Sequence, residues 1–180
     1  DLEKVVLPDT LSSIDESAFE GCESLSDITL PSSLKYLGEK AFRRSAIKTV
    51  TIPAGIRSIE YGTFYSTPLE SVILPEGLAE IGSSAFSRTV LESVTLPDSV
   101  RNVYSQAFYG TPLESVKLSS SLEYIGDAAF ARTNISELFI PSSVLTIGES
   151  AFENCKIKKV SLSEGVTSIG KYAFRYNQFD

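Results

Sequence analysis

The residues best placed to do chemistry in this chain are carboxylates that recur at a fixed interval. Glu70, Glu92 and Glu114 are separated by 22 residues each. If equal spacing means equal position in successive coils, their side chains stand one strand spacing apart, roughly 5 Å. Carboxylates that close can work as an acid/base pair on a sugar or bind Ca²⁺. The same column holds Lys48 on one flank and Ser136 on the other, as a solvated edge would. The rest of the inventory gives catalysis little to work with. The chain has no His, which removes the commonest general base and the Ser-His-Asp arrangement. It has no glycine-rich phosphate loop, EF-hand loop or repeated calcium motif. The expectation is a protein without catalysis, metal or cofactor, with cation binding at the glutamates left open.

The two cysteines belong to the same periodic scheme. Cys22 and Cys155 each follow a Phe by three residues, where other coils carry Ser45, Thr67, Thr89, Thr111, Thr133 and Asn177. Six coils separate them by roughly 29 Å, beyond the reach of a disulfide. A small, partly buried turn residue is the role expected there, ahead of redox or metal chemistry. Two distant cysteines make no zinc site. Net charge is −7, with both signs spread along the chain, which argues against nucleic acid and anionic membranes as partners. No apolar run approaches the ~20 residues of a membrane-spanning helix, and no signal-peptide pattern is present.

The element that must position these residues is a repeat. Leu69–Val90, LESVILPEGLAEIGSSAFSRTV, recurs with drift along the whole chain. Its marker is a Phe, at 19, 42, 64, 86, 108, 130, 152 and 174; the first interval is 23 residues and the rest 22. Each repeat opens on a segment such as LESVIL from Leu69 or ISELFI from Ile135, whose alternation predicts a short strand with one buried face. Pro follows that strand in six of eight repeats and marks where pairing stops. A short apolar return comes next, ending in Ile-Gly or its equivalent; the glycine, as in Gly82, predicts a backbone with φ > 0. Ala-Phe then forms a bend that leads into the next strand. Such units bury their apolar side only by stacking, so eight Phe side chains should form one internal column. A second period of 44 residues relates YSTPLESV after Phe64 to YGTPLESV after Phe108, consistent with duplication of a repeat pair.

The pattern LxxVxLPxxLxxIGxxAFxxC, read from Leu69 through Thr89, resembles the BspA-like class of leucine-rich repeats. Ordinary leucine-rich repeats carry an Asn three residues after the strand, and none does so here. The resemblance covers nearly all 180 residues. It implies a right-handed solenoid with a parallel sheet of short strands on one face, turns and return segments on the other, and little helix. It also implies a secreted or cell-surface protein, adhesin-like. The expected organisation is one solenoid domain over 1–180, with repeats at about 2–24, 25–46, 47–68, 69–90, 91–112, 113–134, 135–156 and 157–180. Neither end reads as a polar cap, so the domain is expected to be part of a longer protein.

Two surfaces emerge as candidate binding sites for a protein or glycan at a cell surface or matrix. The solvent side of the strands presents Thr29, Thr51, Ile73, Thr95, Lys117, Phe139 and Ser161, mostly small or hydroxylated. Ile73 and Phe139 are the apolar exceptions and could anchor one interface. The second is an edge column of Arg44, Tyr65, Arg88, Tyr109 and Arg132, able to stack as cation–π pairs. Asn134-Ile135-Ser136 matches a glycosylation acceptor, a pattern short enough to arise by chance. A structural spacer and the substrate-recruiting module of an extracellular enzyme remain open as alternatives to a binding domain.

Overall fold

The computed structural model describes residues 2–179 as a parallel β-solenoid, with no helix among them. A coil runs strand segment, turn (at Pro in six of the eight repeats), return segment and Phe bend. The 22-residue sequence period becomes the structural register, since Thr49 pairs with Ser71 and Val50 with Val72, and Ser58 pairs with Glu80.

The strand segments pair two by two. Thr49–Thr51 lies beside Ser71–Ile73, Ser93–Thr95 beside Ser115–Lys117, and Glu137–Ile140 beside Lys159–Leu162. In the first coils only a bridge forms, between Lys4 and Asp27. The longest continuous sheet is built instead from the return segments. Its six strands are Ser58–Ile59, Glu80–Ile81, Asn102–Val103, Tyr124–Ile125, Thr146–Ile147 and Ser168–Ile169. Ser13–Ile14 and Tyr36–Leu37 form a separate pair on the same side.

The bend forms a third ladder, which the sequence period does not announce. In the coil of Phe86, the N–H groups of Ser84, Phe86 and Arg88 donate to the carbonyls of Ser105, Ala107 and Tyr109 in the next coil. The residues between them, Ala85, Ser87 and Thr89, donate back within their own coil to Gly82, Ser84 and Phe86. This alternation requires left-handed backbone two residues before and two after each Phe. Ser84 has φ 56° and Arg88 φ 58°, and every other coil repeats the pair, from Ser17 and Gly21 to Tyr172 and Tyr176.

The glycine of Ile-Gly is therefore not the left-handed position anticipated above. Gly38, Gly82, Gly126, Gly148 and Gly170 are absent from the residues with positive φ. They are small because the coils approach closely there. A Cβ on Gly82 would stand 2.6 Å from the Ile59 carbonyl oxygen, and one on Gly170 would stand 2.4 Å from the Glu149 nitrogen.

Inside, like residues lie on like. The eight Phe rings form one stack from Phe19 to Phe174, with neighbouring centroids 5.2–5.6 Å apart and planes within 11° of parallel. Phe42 to Phe152 are fully buried. Parallel rings at this separation are offset stacks, the geometry their quadrupoles favour. The hydroxyls of Thr67, Thr89 and Thr111 close each bend by donating to the carbonyls of Phe64, Phe86 and Phe108 at 2.8–2.9 Å. Cys22 and Cys155 are both free thiols. Cys155 fills the threonine position, its thiol donating to the Phe130 carbonyl at 3.2 Å.

Candidate binding face

The strand side is built for exposure. Alternation turns Val50, Val94 and Leu138 into the core and leaves their neighbours in solvent. Thr29, Thr51, Ile73, Thr95, Lys117, Phe139 and Ser161 are all exposed. Register brings them together pairwise: Thr51 with Ile73, Thr95 with Lys117, and Phe139 with Ser161. Ile73 is 60% and Phe139 65% exposed, large apolar groups where a hydroxyl would serve.

The surface here is not flat. A depression of about 510 Å³ lies across Asp27, Thr29, Thr49, Thr51, Ser71 and Ile73. A second, of about 230 Å³, adjoins it at Thr29 and reaches Lys4 and Val6. A third, of about 340 Å³, adjoins it at Ile73 and reaches Ser93 and Thr95. Thr29 and Ile73 thus stand where neighbouring depressions meet, in a row of three over the first five coils. Their walls mix hydroxyls with aliphatic carbon, as a recognition surface requires.

The glutamate column does not assemble into a site. Glu70, Glu92 and Glu114 are exposed, and Glu70 lies 3.8 Å from Lys48. Among the described residues no group of three or more His, Cys, Asp or Glu side chains is arranged to hold a metal ion.

The aromatic edge differs from expectation in one partner. Tyr65 lies between two guanidiniums, Arg43 at 5.4 Å and Arg88 at 5.9 Å, so it is Arg43 and not Arg44 that covers it from the preceding coil. Arg132 covers Tyr109 at 5.6 Å. The sequence reading missed Lys40, which lies over Tyr61 at 5.6 Å and pairs with Glu16 at 3.0 Å. The hydrogen bond it donates to the Glu16 carboxylate holds the Lys40 ammonium above its ordinary pKa. Glu20 pairs with Arg43 and accepts from the Ser17 hydroxyl; that hydroxyl, more than Arg43, holds its carboxyl below the usual range. Part of the signal for this cluster was available, since Glu16 and Tyr61 stand three residues before Phe19 and Phe64, and Lys40 two before Phe42. Asn134 is half-buried, and its side-chain amide donates to the Pro112 carbonyl at 3.4 Å.

Stacked parallel coils, a column of buried Phe and an exposed strand face define a leucine-rich-repeat solenoid. The chain belongs to the BspA type leucine rich repeat region family, whose six-copy sequence model matches residues 1–111 and again 57–179. No curated protein matches. Among solved structures, the leucine-rich repeat protein TpLRR of T. pallidum is 26% identical with a TM-score of 0.61, over 92% of this chain and 72% of that one. The pneumococcal vaccine antigen PcpA is likewise 26% identical, TM-score 0.60, over 92% of this chain and 40% of that one. A leucine-rich repeat protein from Eubacterium ventriosum shares the fold at 23% identity and TM-score 0.60, over 91% of this chain and 48% of that one. The chain thus spans less than half the length of the last two.

Proposed function

We propose that this solenoid is a non-catalytic binding domain of a secreted or cell-surface protein, acting as one unit that presents its strand face to a protein or glycan. The observation that carries the reading is the row of adjoining depressions beside Thr29, Thr51 and Ile73, spread over successive coils. A face of short hydroxylated side chains loses little rotamer freedom on binding and can hydrogen-bond a partner, and apolar groups such as Ile73 and Phe139 supply the anchoring that most interfaces concentrate in few residues. Likeness to a pneumococcal vaccine antigen supports placement at a cell surface. Within residues 2–179 no helix is long and apolar enough to cross a membrane.

The test compares the domain with an Ile73→Lys, Phe139→Lys variant, using capture from host-surface and matrix extracts together with a glycan array. Both substituted positions are exposed, so the variant should melt like the parent. The expected outcome is one dominant partner that the variant fails to retain. Equal retention by both proteins would remove the strand face from the account, and no partner for either would favour a structural spacer.

A further inference from the structure

The edge formed by the Phe bends carries a charge pattern that the strand face does not explain. In a chain of net charge −7, the turn segments 43–46, 65–68, 87–90, 109–112 and 131–134 contain no Asp or Glu across five successive coils. They hold Arg44, Arg88 and Arg132 at one equivalent position in alternate coils, with Ser66 and Gly110 between. All three arginines are exposed, and among the described residues no carboxylate lies within 4.0 Å of them. The acidic column of Glu70, Glu92 and Glu114 begins beyond the buried Leu69, Leu91 and Leu113, on the strand side.

Two further observations mark the column. Each arginine sits in left-handed backbone, with φ of 55°, 58° and 59°, where Gly21 and Gly110 serve in other coils. An L-residue there is disfavoured by about 1–2 kcal/mol, so the fold alone gives no reason for Arg. Arg88 and Arg132 also lie over the tyrosine of the preceding coil, Tyr65 and Tyr109, which orients the guanidinium and leaves its N–H fork to a ligand. Polar depressions flank the column, about 220 Å³ beside Arg43 and Tyr65 and about 340 Å³ beside Arg132 and Lys156.

We infer that this edge binds a linear polysaccharide bearing an acidic group on every second sugar. Alternate coils stand roughly 10 Å apart. An extended chain of linked pyranoses advances about one ring per coil spacing, so an acid on every second ring meets one arginine per two coils. Planar carboxylates and sulfates both suit the guanidinium fork. The site is separate from the strand face and does not rest on the reading above.

Titration calorimetry of the whole chain at low salt, against hyaluronan, keratan sulfate and neutral chito-oligosaccharides of matched length, tests the assignment. Hyaluronan supplies carboxylate alone and keratan sulfate supplies sulfate alone, so the arm that binds names the acid. An octasaccharide should bind at least about tenfold more tightly than the disaccharide, because successive arginines are engaged together. Arg88→Gln with Arg132→Gln should weaken binding by about tenfold or more at an unchanged melting temperature. Arg88→Lys with Arg132→Lys should recover part of it, and Arg101→Gln, on the return side, should leave it within about twofold. Ile73→Lys with Phe139→Lys should also leave it unchanged, which separates this site from the strand face. Absence of binding to both acidic glycans, equal binding of the neutral chain, tighter binding of a polyglutamate peptide, or indifference to the Arg→Gln pair would overturn the assignment.

Discussion

Single residues in this fold are selected by two different backbone demands. At Gly82 the demand is space, since a Cβ would meet the Ile59 carbonyl oxygen at 2.6 Å. At Gly110 the demand is φ, +67°, and the only neighbour a Cβ would find is the Arg88 Cγ at 3.9 Å. Ala128 occupies left-handed backbone at φ 52°, so a methyl is tolerated there. Gly110→Ala should therefore cost about 1 kcal/mol. Gly82→Ala should cost about 1–3 kcal/mol, because backbone must move. Urea denaturation ranks the two, and the reverse order would contradict the close-approach account. Cys155 gives a pH-dependent case. Burial pushes its thiol up, with the Thr133 hydroxyl partly opposing. The folded chain then holds a proton that the unfolded chain releases above about pH 8.5, so stability falls as pH rises from there through the higher folded value. Cys155→Thr, the residue of four other coils, should flatten that fall in denaturant midpoints between about pH 8 and 10. An equally steep decline in the variant would assign it elsewhere.

At the scale of the element, the Phe column is the main internal support. Phe86 is fully buried, with Phe64 at 5.5 Å and Phe108 at 5.3 Å. Phe86→Ala should cost about 3–5 kcal/mol, read as a fall in melting temperature. A melt unchanged from the parent would be incompatible with the register described here. That register was legible in the sequence because one large aromatic at a fixed period has few alternative placements. The strand face was legible for the same reason: alternation of Val50 with Thr49 and Thr51 assigns inside and outside without further information. The bend ladder was not. Its left-handed positions are filled by Ser, Lys, Arg, Gln, Ala, Asn and Tyr as well as Gly, so no residue type signals them. The continuous return sheet was also hidden, because two-residue strands such as Glu80–Ile81 are too short to show alternation. For the candidate sites, side-chain identity placed Thr29 to Ser161 on one face. The choice of Arg43 over Arg44 as the partner of Tyr65 depends on rotamers and backbone direction, which spacing does not encode.

At the scale of the molecule, the solenoid separates its surfaces. The strand side carries a row of depressions and exposed apolar side chains; the bend edge carries arginines in alternate coils with no carboxylate partner among the described residues; the return side carries a six-stranded sheet. Such a layout lets each surface be altered without disturbing the others, since a stack of coils transmits contacts chiefly to nearest neighbours. The central claim is that the strand side is the principal binding face. Its most direct test is the dissociation constant of the dominant captured partner for three proteins. These are the parent, the Ile73→Lys, Phe139→Lys variant, and Leu145→Lys, an exposed apolar position on the return side. Loss of at least about tenfold in the strand-face variant alone, with all three melting alike, is the predicted result. Equal affinity in the strand-face variant and the parent, or loss in Leu145→Lys alone, would contradict it.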